Sequence, residues 1–235
     1  MKIREKRCVH LGVHDALIIV DLQNDFCPGG ALPVAGGHDI IPVVNHLIPR
    51  FTAVVATKDW HEGQHTDYPW PLHCIQYTWG AEFHPDLRYP YSSVFYKGYK
   101  RGRGSGYSGF DAVFGRTVFK NDGPAAAIKA SIVLDHNATL DLELKSVGIT
   151  RIFVVGLATD YCVKATVLDG LRLGFEVYVV TDAIAAVNVN PGDGEKALQE
   201  MAHGIEDSQG KRRRARLITS RDICDGEFRR RGCLV

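Results

Sequence analysis

The chain has 235 residues, of which 45% are hydrophobic and 23% are charged, and its formal net charge is +1. These values are those of an ordinary globular protein that is long enough to bury a sizeable core. A charge so close to zero gives no argument for a nucleic-acid partner, and no apolar run reaches the ~18 residues of a membrane span. We therefore expect neither nucleic acid nor membrane among its partners.

The cysteines and the chain ends bear on compartment and domain organisation. Six cysteines, at positions 8, 27, 74, 162, 224 and 233, show no paired spacing such as Cys-x-x-Cys. This pattern predicts reduced thiols in the cytoplasm rather than a disulfide framework. The basic N-terminus carries an apolar run too short for a signal peptide. We expect a single domain over 1–235, with its core at about 16–220, a flexible leader at 1–14 and a tail at 221–235.

The clearest pattern lies between residues 152 and 182. Two apolar runs, Ile152–Val155 and Val177–Thr181, flank an amphipathic helix at about Cys162–Leu173. This order is typical of a βαβ unit in a parallel sheet. Cys162 falls in the first helical turn, just past the carboxyl end of a strand, where ligands bind in open α/β sheets and where a thiol ionises more readily. Cys162 is a candidate nucleophile; a buried structural cysteine is the alternative.

Two further strands end in chemically distinct groups. Ala16–Val20 is followed by Asp21, and Ser93–Lys97 ends in a lysine that needs a partner inside a core. Because carboxyl ends of parallel strands converge on one edge, the topology allows Asp21, Lys97 and Cys162 to share a site. That arrangement suits nucleophilic catalysis, in which the aspartate accepts the thiol proton and the lysine stabilises the thiolate.

A metal site is indicated after the predicted strand Ala53–Thr57. Asp59 and His61 alternate, so they point to the same side of an extended backbone, and His65 and His73 follow in a loop rich in Pro and Trp. One carboxylate with two or three imidazoles is a sound ligand set for Zn, Fe or Mn. Loop histidines satisfied by their own neighbours are the alternative.

The remaining elements follow from periodicity. Helices are predicted at Asp39–Phe51 and near Thr139–Val147, and a last strand at Arg216–Thr219. The segment 112–123 is interpreted as a small excursion. The basic, glycine-rich stretch 98–112 lacks the spacing of a phosphate-binding motif, so it is interpreted as a mobile active-site loop, with a surface loop as the alternative.

Five segments together resemble the nicotinamidase/pyrazinamidase branch of the isochorismatase-like cysteine hydrolases, and they occur in that family's order. They are VDLQNDFCPGGAL (20–32), ATKDWH (56–61), WPLHC (70–74), FYKG (95–98) and GLATDYCVKATVLD (156–169). The resemblance covers about residues 16–220. It implies an α/β fold of three layers, with a central, mostly parallel six-stranded sheet flanked by helices.

The resemblance also implies the catalytic residues. Asp21, Lys97 and Cys162 match the family's triad. The backbone N–H groups of Ala158 and Cys162 match its oxyanion hole, and the family has a cis peptide bond before the residue aligned with Ala158.

The same resemblance implies a metal centre. Asp59, His61 and His73 match the ligands of one divalent ion, and His65 corresponds to a ligand that only some members have. Zinc is the first choice for the ion, and iron and manganese are the alternatives.

For the substrate site, Phe26 and Trp70 match aromatics that sandwich a pyridine ring, Tyr107 matches a wall residue, and Gln23 has a supporting role. The implied reaction is hydrolysis of nicotinamide to nicotinate and ammonia, which feeds NAD salvage. The sequence leaves open whether pyrazinamide is also a substrate and whether the chain forms a homo-oligomer.

Two other functions stay open. One is a sister cysteine amidase that acts on another small amide, and the other is a non-catalytic metal-binding homologue. The chain departs from the family pattern in its leader, in its tail, and in a longer, more basic loop between Lys97 and Tyr107.

Overall fold

The computed structural model describes residues 8–63, 70–90, 93–99, 106–120, 129–207 and 210–224. Within these ranges the chain forms twelve strands and four α-helices. The strands are β1 (Val9–His10), β2 (Asp15–Val20), β3 (Ala53–Asp59), β4 (Val94–Lys97), β5 (Val113–Lys120), β6 (Lys129–Thr139), β7 (Arg151–Leu157), β8 (Glu176–Ala185), β9 (Ile205–Glu206), β10 (Arg212–Arg213), β11 (Arg216–Ile218) and β12 (Ile223–Cys224). The helices are α1 (Ile41–Leu47), α2 (Leu140–Ser146), α3 (Lys164–Arg172) and α4 (Asp193–His203).

An eight-stranded sheet, in the order β11-β8-β7-β2-β3-β4-β5-β6, organises the described chain. Neighbouring strands from β11 to β4 run parallel, whereas β4·β5 and β5·β6 are antiparallel. The predicted α/β class with a mostly parallel sheet is confirmed. The expected six strands are the parallel ones, and the hairpin β5–β6 adds two more. It was missed because it lies at the sheet edge, where Arg116 and Thr117 are exposed and blur the apolar pattern.

Helices cover both faces of this sheet. Leu17 and Ile19 of β2 belong to the core that α1 covers, and Ile18 and Val20 belong to the core on the opposite face, under α2, α3 and α4. Every residue of β2 is buried, as expected of a central strand in a parallel sheet. The predicted helices are all present but shorter. The third begins late because a π-helical turn, Thr159–Val163, precedes α3. None of the helices in the described ranges combines the length and the apolar character needed to cross a bilayer.

The two ends of the described chain are joined to each other. β1 pairs in parallel with β12, and Cys8 forms a disulfide bond with Cys224. Arg151 ties β1 to the start of the sheet, because its guanidinium donates to the His10 carbonyl and pairs with the Asp15 carboxylate. We call residues 8–10 and 223–224 the terminal clip.

The terminal clip corrects the interpretation of the cysteines. Reduced thiols are the wrong prediction for Cys8 and Cys224, whereas Cys27, Cys74 and Cys162 are free. The two bonded residues are 216 positions apart, so their pairing depends on the folded path of the chain rather than on a local spacing. The leader and the tail, expected to be loose, are joined in the parts described. A single domain over 1–235 stays a prediction.

Candidate active site

Four neighbouring strands end at one edge of the sheet. β7, β2, β3 and β4 lie side by side in that order and run parallel. Asp21 follows β2, and Asp59 and Lys97 are register partners at the ends of β3 and β4. Cys162 lies just beyond the end of β7, in the π-helical turn. The structure therefore brings together the three groups that the topology allowed to meet.

Lys97 is the centre of this edge. Its Nζ lies 2.9 Å from Asp21 Oδ2, 2.6 Å from Asp59 Oδ1 and 3.4 Å from Cys162 Sγ. Burial by itself would lower the pKa of Lys97, but the two carboxylates and Cys162 hold that pKa well above its ordinary value. A buried ammonium with two anionic partners therefore links the thiol to both aspartates.

Asp21 is held by a threonine of the neighbouring strand. Thr57 Oγ1 donates a hydrogen bond of 2.7 Å to Asp21 Oδ1 and accepts one of 3.3 Å from the Asp21 amide. Oδ2 forms the ion pair with Lys97 but accepts no hydrogen bond of good geometry within the described residues, which leaves it available to a proton. Burial raises the pKa of Asp21, with Lys97 opposing that change and Asp59 adding to it. A raised pKa makes this carboxylate a better proton acceptor than an ordinary aspartate.

The Cys162 thiol is buried beside one ammonium and two carboxylates. Burial raises its pKa well above the ordinary value, against the opposing charge of Lys97 and with the help of Asp21 and Asp59. The expectation of an easily ionised thiol, based on the helix start, stays a prediction. The thiol proton must leave when the sulfur reacts, and the Asp21 carboxylate lies close enough to accept it.

The backbone around Cys162 is fixed from both sides. The peptide bond between Leu157 and Ala158 is cis, as the resemblance implied. On the other side, Thr166 Oγ1 donates a 2.7 Å hydrogen bond to the Cys162 carbonyl and accepts one of 2.8 Å from the Gly109 amide. These contacts tie the thiol-bearing turn to α3 and to the segment that follows Tyr107.

Asp59 also belongs to a second cluster, which it forms with His61 and His73. Oδ1 of Asp59 contacts Lys97, while its Oδ2 lies 3.6 Å from His61 Nε2 and 3.8 Å from His73 Nε2. Ligand atoms of the three residues all lie within 4.8 Å of one another, and all three side chains are buried. Burial by itself would raise the pKa of Asp59, but Lys97 and the neighbouring imidazoles of His61 and His73 hold that pKa well below its ordinary value. The cluster therefore holds one carboxylate anion.

The two imidazoles are oriented as metal ligands are. His61 Nδ1 lies 3.2 Å from the Gly98 carbonyl, and His73 Nδ1 lies 2.7 Å from the Pro71 carbonyl. A carbonyl only accepts, so each Nδ1 carries a proton, and in the neutral ring each Nε2 has a lone pair that faces Asp59. Two imidazoles and one carboxylate with fixed tautomers fit a divalent metal ion of the zinc type.

Gln23 serves this cluster rather than a substrate. Its Nε2 donates to the carbonyls of Asp59 and Ala81 at 2.8 and 2.9 Å, and its Oε1 accepts from the Asp59 amide at 2.8 Å. Gln23 is fully buried. Its amide group is engaged with backbone, so it fixes Asp59, which agrees with a supporting role and not with direct substrate contact.

The expected aromatic residues lie on two sides of the site. Trp70 Nε1 donates a 3.1 Å hydrogen bond to the Tyr107 hydroxyl, and the Trp70 ring lies 5.0 Å from the ring of Tyr161. Phe26 is buried, with its ring 5.6 Å from that of His73. His65 and most of the basic loop, residues 100–105, lie outside the described residues.

The sequence analysis missed several supporting residues. Thr57 had a signal, because it stands two residues before Asp59 on a strand and therefore shares its face. Gly98 has a φ of +68°, and a Cβ there would lie 2.6 Å from His61 Cε1, so a side chain would displace this imidazole. Tyr161 directly precedes Cys162 but shows its ring contacts only in the fold. No local sequence pattern marks Gly98 or Tyr161 as part of the site.

One protein family, a relative and two solved structures are similar to this chain. The Isochorismatase domain family matches residues 15–207. The nicotinamidase of Escherichia coli (strain K12) is 37% identical over 212 residues, which cover 80% of this chain and 90% of that relative. The zinc complex of the pyrazinamidase of Pyrococcus horikoshii is 38% identical with a TM-score of 0.66, covering 88% of this chain and 99% of that one. A protein of L. infantum in complex with nicotinate is 30% identical with a TM-score of 0.71, covering 92% and 98%.

Proposed function

This chain belongs to the isochorismatase family, and we propose that within it the chain is a nicotinamidase, which hydrolyses nicotinamide to nicotinate and ammonia. One observation carries the proposal: Lys97 Nζ contacts Cys162 Sγ, Asp21 and Asp59 at once. A nucleophile, its base and a metal-type cluster are thereby held against one another. The relatives in E. coli and P. horikoshii, named for nicotinamide and pyrazinamide hydrolysis, support the choice of substrate.

The first half of the reaction forms a thioester. The Cys162 thiol gives its proton to Asp21, and the sulfur attacks the carboxamide carbon. Lys97 stabilises the developing thiolate with its ammonium and keeps the Asp21 carboxylate in place. Asp21 then passes the proton to the leaving amino group, the C–N bond breaks, and ammonia departs. Burial raises the pKa of the Cys162 thiol, which makes this proton transfer part of the proposed step.

The second half returns the enzyme to its starting state. Asp21 takes a proton from water, whose oxygen attacks the thioester carbon. The C–S bond breaks, the sulfur recovers the proton through Asp21, and nicotinate is released. In both halves the backbone N–H groups of Ala158 and Cys162 are proposed to hold the carbonyl oxygen, a contribution of about 3 kcal/mol per donor in comparable sites.

Asp59, His61 and His73 are proposed to hold one zinc ion. The zinc complex of the P. horikoshii relative supports that choice, and the tautomers of the two histidines fit it. When bound there, such an ion would supply a Lewis acid that can orient a pyridine nitrogen. Asp59 contacts Lys97 through one oxygen and faces the two histidines through the other, so the cluster lies beside the catalytic lysine, which favours amides carried by a nitrogen-containing ring.

Aromatic side chains are proposed to close around that ring. Phe26 lies beside His73 on the metal side, and Trp70 and Tyr107 lie beside Tyr161 on the thiol side. A flat pyridine or pyrazine between such faces is held by stacking. The L. infantum complex with nicotinate supports a small aromatic acid as product.

The test is ammonia release from nicotinamide by the purified protein before chelation, after chelation and after zinc is added back. We expect release that falls when the metal is stripped and returns with zinc. Pyrazinamide and an N-carbamoyl amide serve as the comparison substrates. Release only from the carbamoyl amide would replace the proposal with a sister amidase, and no release from folded, metal-loaded protein would favour the non-catalytic homologue.

A cytoplasmic location stays a prediction. The free thiols of Cys27, Cys74 and Cys162 support it, while the Cys8–Cys224 disulfide argues for a compartment in which that bond persists.

A further inference from the structure

Two histidines and an aspartate outside the active site form a second ligand set. His38 Nε2 lies 3.0 Å from Asp86 Oδ2, and His84 Nδ1 lies 3.8 Å from the same oxygen. The two imidazole rings meet edge to face with centroids 4.9 Å apart. Ligand atoms of all three residues lie within 4.8 Å of one another. We call His38, His84 and Asp86 the surface cluster.

The backbone holds the surface cluster in place without help from a ligand. Asn45 of α1 donates to the Asp86 carbonyl at 2.7 Å and accepts from the Arg88 amide at 2.7 Å, which fixes the turn that carries Asp86. The turn is closed by a hydrogen bond from the Leu87 amide to the His84 carbonyl. Ligands that are already positioned lose little entropy on binding an ion.

One ring nitrogen of the surface cluster has a lone pair in this structure. The Asp86 amide donates to His84 Nδ1 at 3.2 Å, so this nitrogen is not protonated. An ion bound through it would take the place of the amide donor.

We propose that His38, His84 and Asp86 bind a second divalent transition-metal ion, such as zinc, independently of the active-site cluster. Two imidazoles and one carboxylate form a donor set that binds such ions in preference to magnesium or calcium, which favour oxygen ligands. His38 and Asp86 line an open cavity of about 560 Å³, together with Asn45, His46 and Arg88. The ion would replace the His38–Asp86 ion pair as the link between the start of α1 and the turn at residues 84–87.

This link reaches the catalytic edge through backbone. The His84 amide donates a 3.0 Å hydrogen bond to the carbonyl of Leu22, the residue after Asp21. Gly37, which precedes His38, lies so close to Phe26 that a Cβ there would be 2.8 Å from the Phe26 carbonyl. A metal ion in the surface cluster would therefore brace the loop that carries Phe26, whether or not the active site is loaded.

The test compares zinc bound at equilibrium by the full chain and by the His84→Ala variant, measured by dialysis against buffered zinc and elemental analysis. We expect the variant to bind one equivalent less than the wild type. The difference is independent of the active-site proposal. If the active site binds zinc, the wild type should bind two equivalents and the variant one. If it does not, the wild type should bind one equivalent and the variant none. Zinc should also raise the Tm of the wild type by more than that of the variant, since only the wild type has the added site.

His46→Ala is the matched control, because His46 lines the same cavity but is not part of the surface cluster. It should keep the wild-type stoichiometry. His38→Ala should behave as His84→Ala does. Equal zinc content in wild type, His38→Ala and His84→Ala would overturn the proposal and leave the surface cluster as an ion pair with a second imidazole packed edge to face against it. A loss of one equivalent in His46→Ala as well would assign the binding to the cavity instead of to these three residues.

Discussion

The molecule uses its cysteines in two contrasting surroundings. Cys162 is a free, buried thiol at the catalytic edge, where three strand ends place two carboxylates and an ammonium around it. Cys8 and Cys224 are bonded to each other in the terminal clip, which consists of two strands of two residues each and stands apart from the main sheet. The residues around each thiol in the folded structure, rather than the spacing of the cysteines along the chain, decide which cysteine can react and which cysteines form a disulfide.

The energetic difference between the two regions follows from their charges. At the catalytic edge, each charged group is buried and compensates another, so the removal of one leaves the rest unpaired. In the terminal clip, the removal of the covalent bond only frees two short segments. Variants in the two regions should therefore separate activity from stability, and the predictions run from the largest effect to the smallest.

Cys162→Ala should remove all turnover of nicotinamide, because no other group near Asp21 can form the thioester. The fold and the metal content should be unchanged, since the alanine deletes only a neutral buried thiol. Ammonia release, elemental analysis and thermal unfolding measure the three quantities. Activity that survives in this variant would rule out the covalent mechanism.

Lys97→Met should abolish activity and also lower the free energy of unfolding by about 3–5 kcal/mol, because Asp21 and Asp59 lose their shared buried counter-ion. Urea unfolding at neutral pH gives the stability. The double variant with Asp21→Asn is the control: it should regain part of the stability but none of the activity. A single variant as stable as the wild type would show that water already compensates the two carboxylates.

His73→Ala should lower the zinc content of the catalytic edge and raise KM for nicotinamide, while the free energy of unfolding of the metal-free protein changes little. The structural reason is that His73 Nε2 faces Asp59, with Nδ1 fixed by Pro71. Zinc titration of wild type and variant, followed by steady-state kinetics, checks both effects. Unchanged zinc affinity together with an unchanged KM would exclude His73 as a ligand.

Cys8→Ser should leave kcat and KM unchanged and lower the free energy of unfolding by about 2–4 kcal/mol, the usual contribution of a disulfide that closes a long loop. Reduction of the wild type should have the same effect, and Cys224→Ser should match Cys8→Ser. Cys27→Ser is the control for loss of a free thiol. A change in kcat on removal of the disulfide would mean that the terminal clip acts on the catalytic edge, against the separation of the two regions.

Much of the candidate site was predictable because its residues stand at the ends of apolar runs. Asp21, Asp59 and Lys97 each terminate a short buried strand, and parallel strands bring such ends to one edge. Thr57 was accessible to the same reasoning through strand alternation. Local order along the chain is enough for these positions, since backbone periodicity fixes which side chains share a face.

Other features depend on contacts between distant segments. The exposed side of the hairpin β5–β6 weakens its apolar alternation, and the pairing of β1 with β12 involves only two residues on each strand. The pKa of Cys162 likewise depends on the fold, because burial raises it and the carboxylates that add to this change come from two other strands.

The sequence by itself determined the α/β class, the reactive groups at the ends of the parallel strands and the resemblance to one hydrolase family, because these follow from periodicity and from motifs that are contiguous in the chain. Only the tertiary structure decided that Lys97 joins Asp21, Asp59 and Cys162, that Cys8 meets Cys224, and that His38, His84 and Asp86 form a cluster. These are through-space relations between residues far apart in sequence. Their energies depend on distance and burial, which no local pattern specifies.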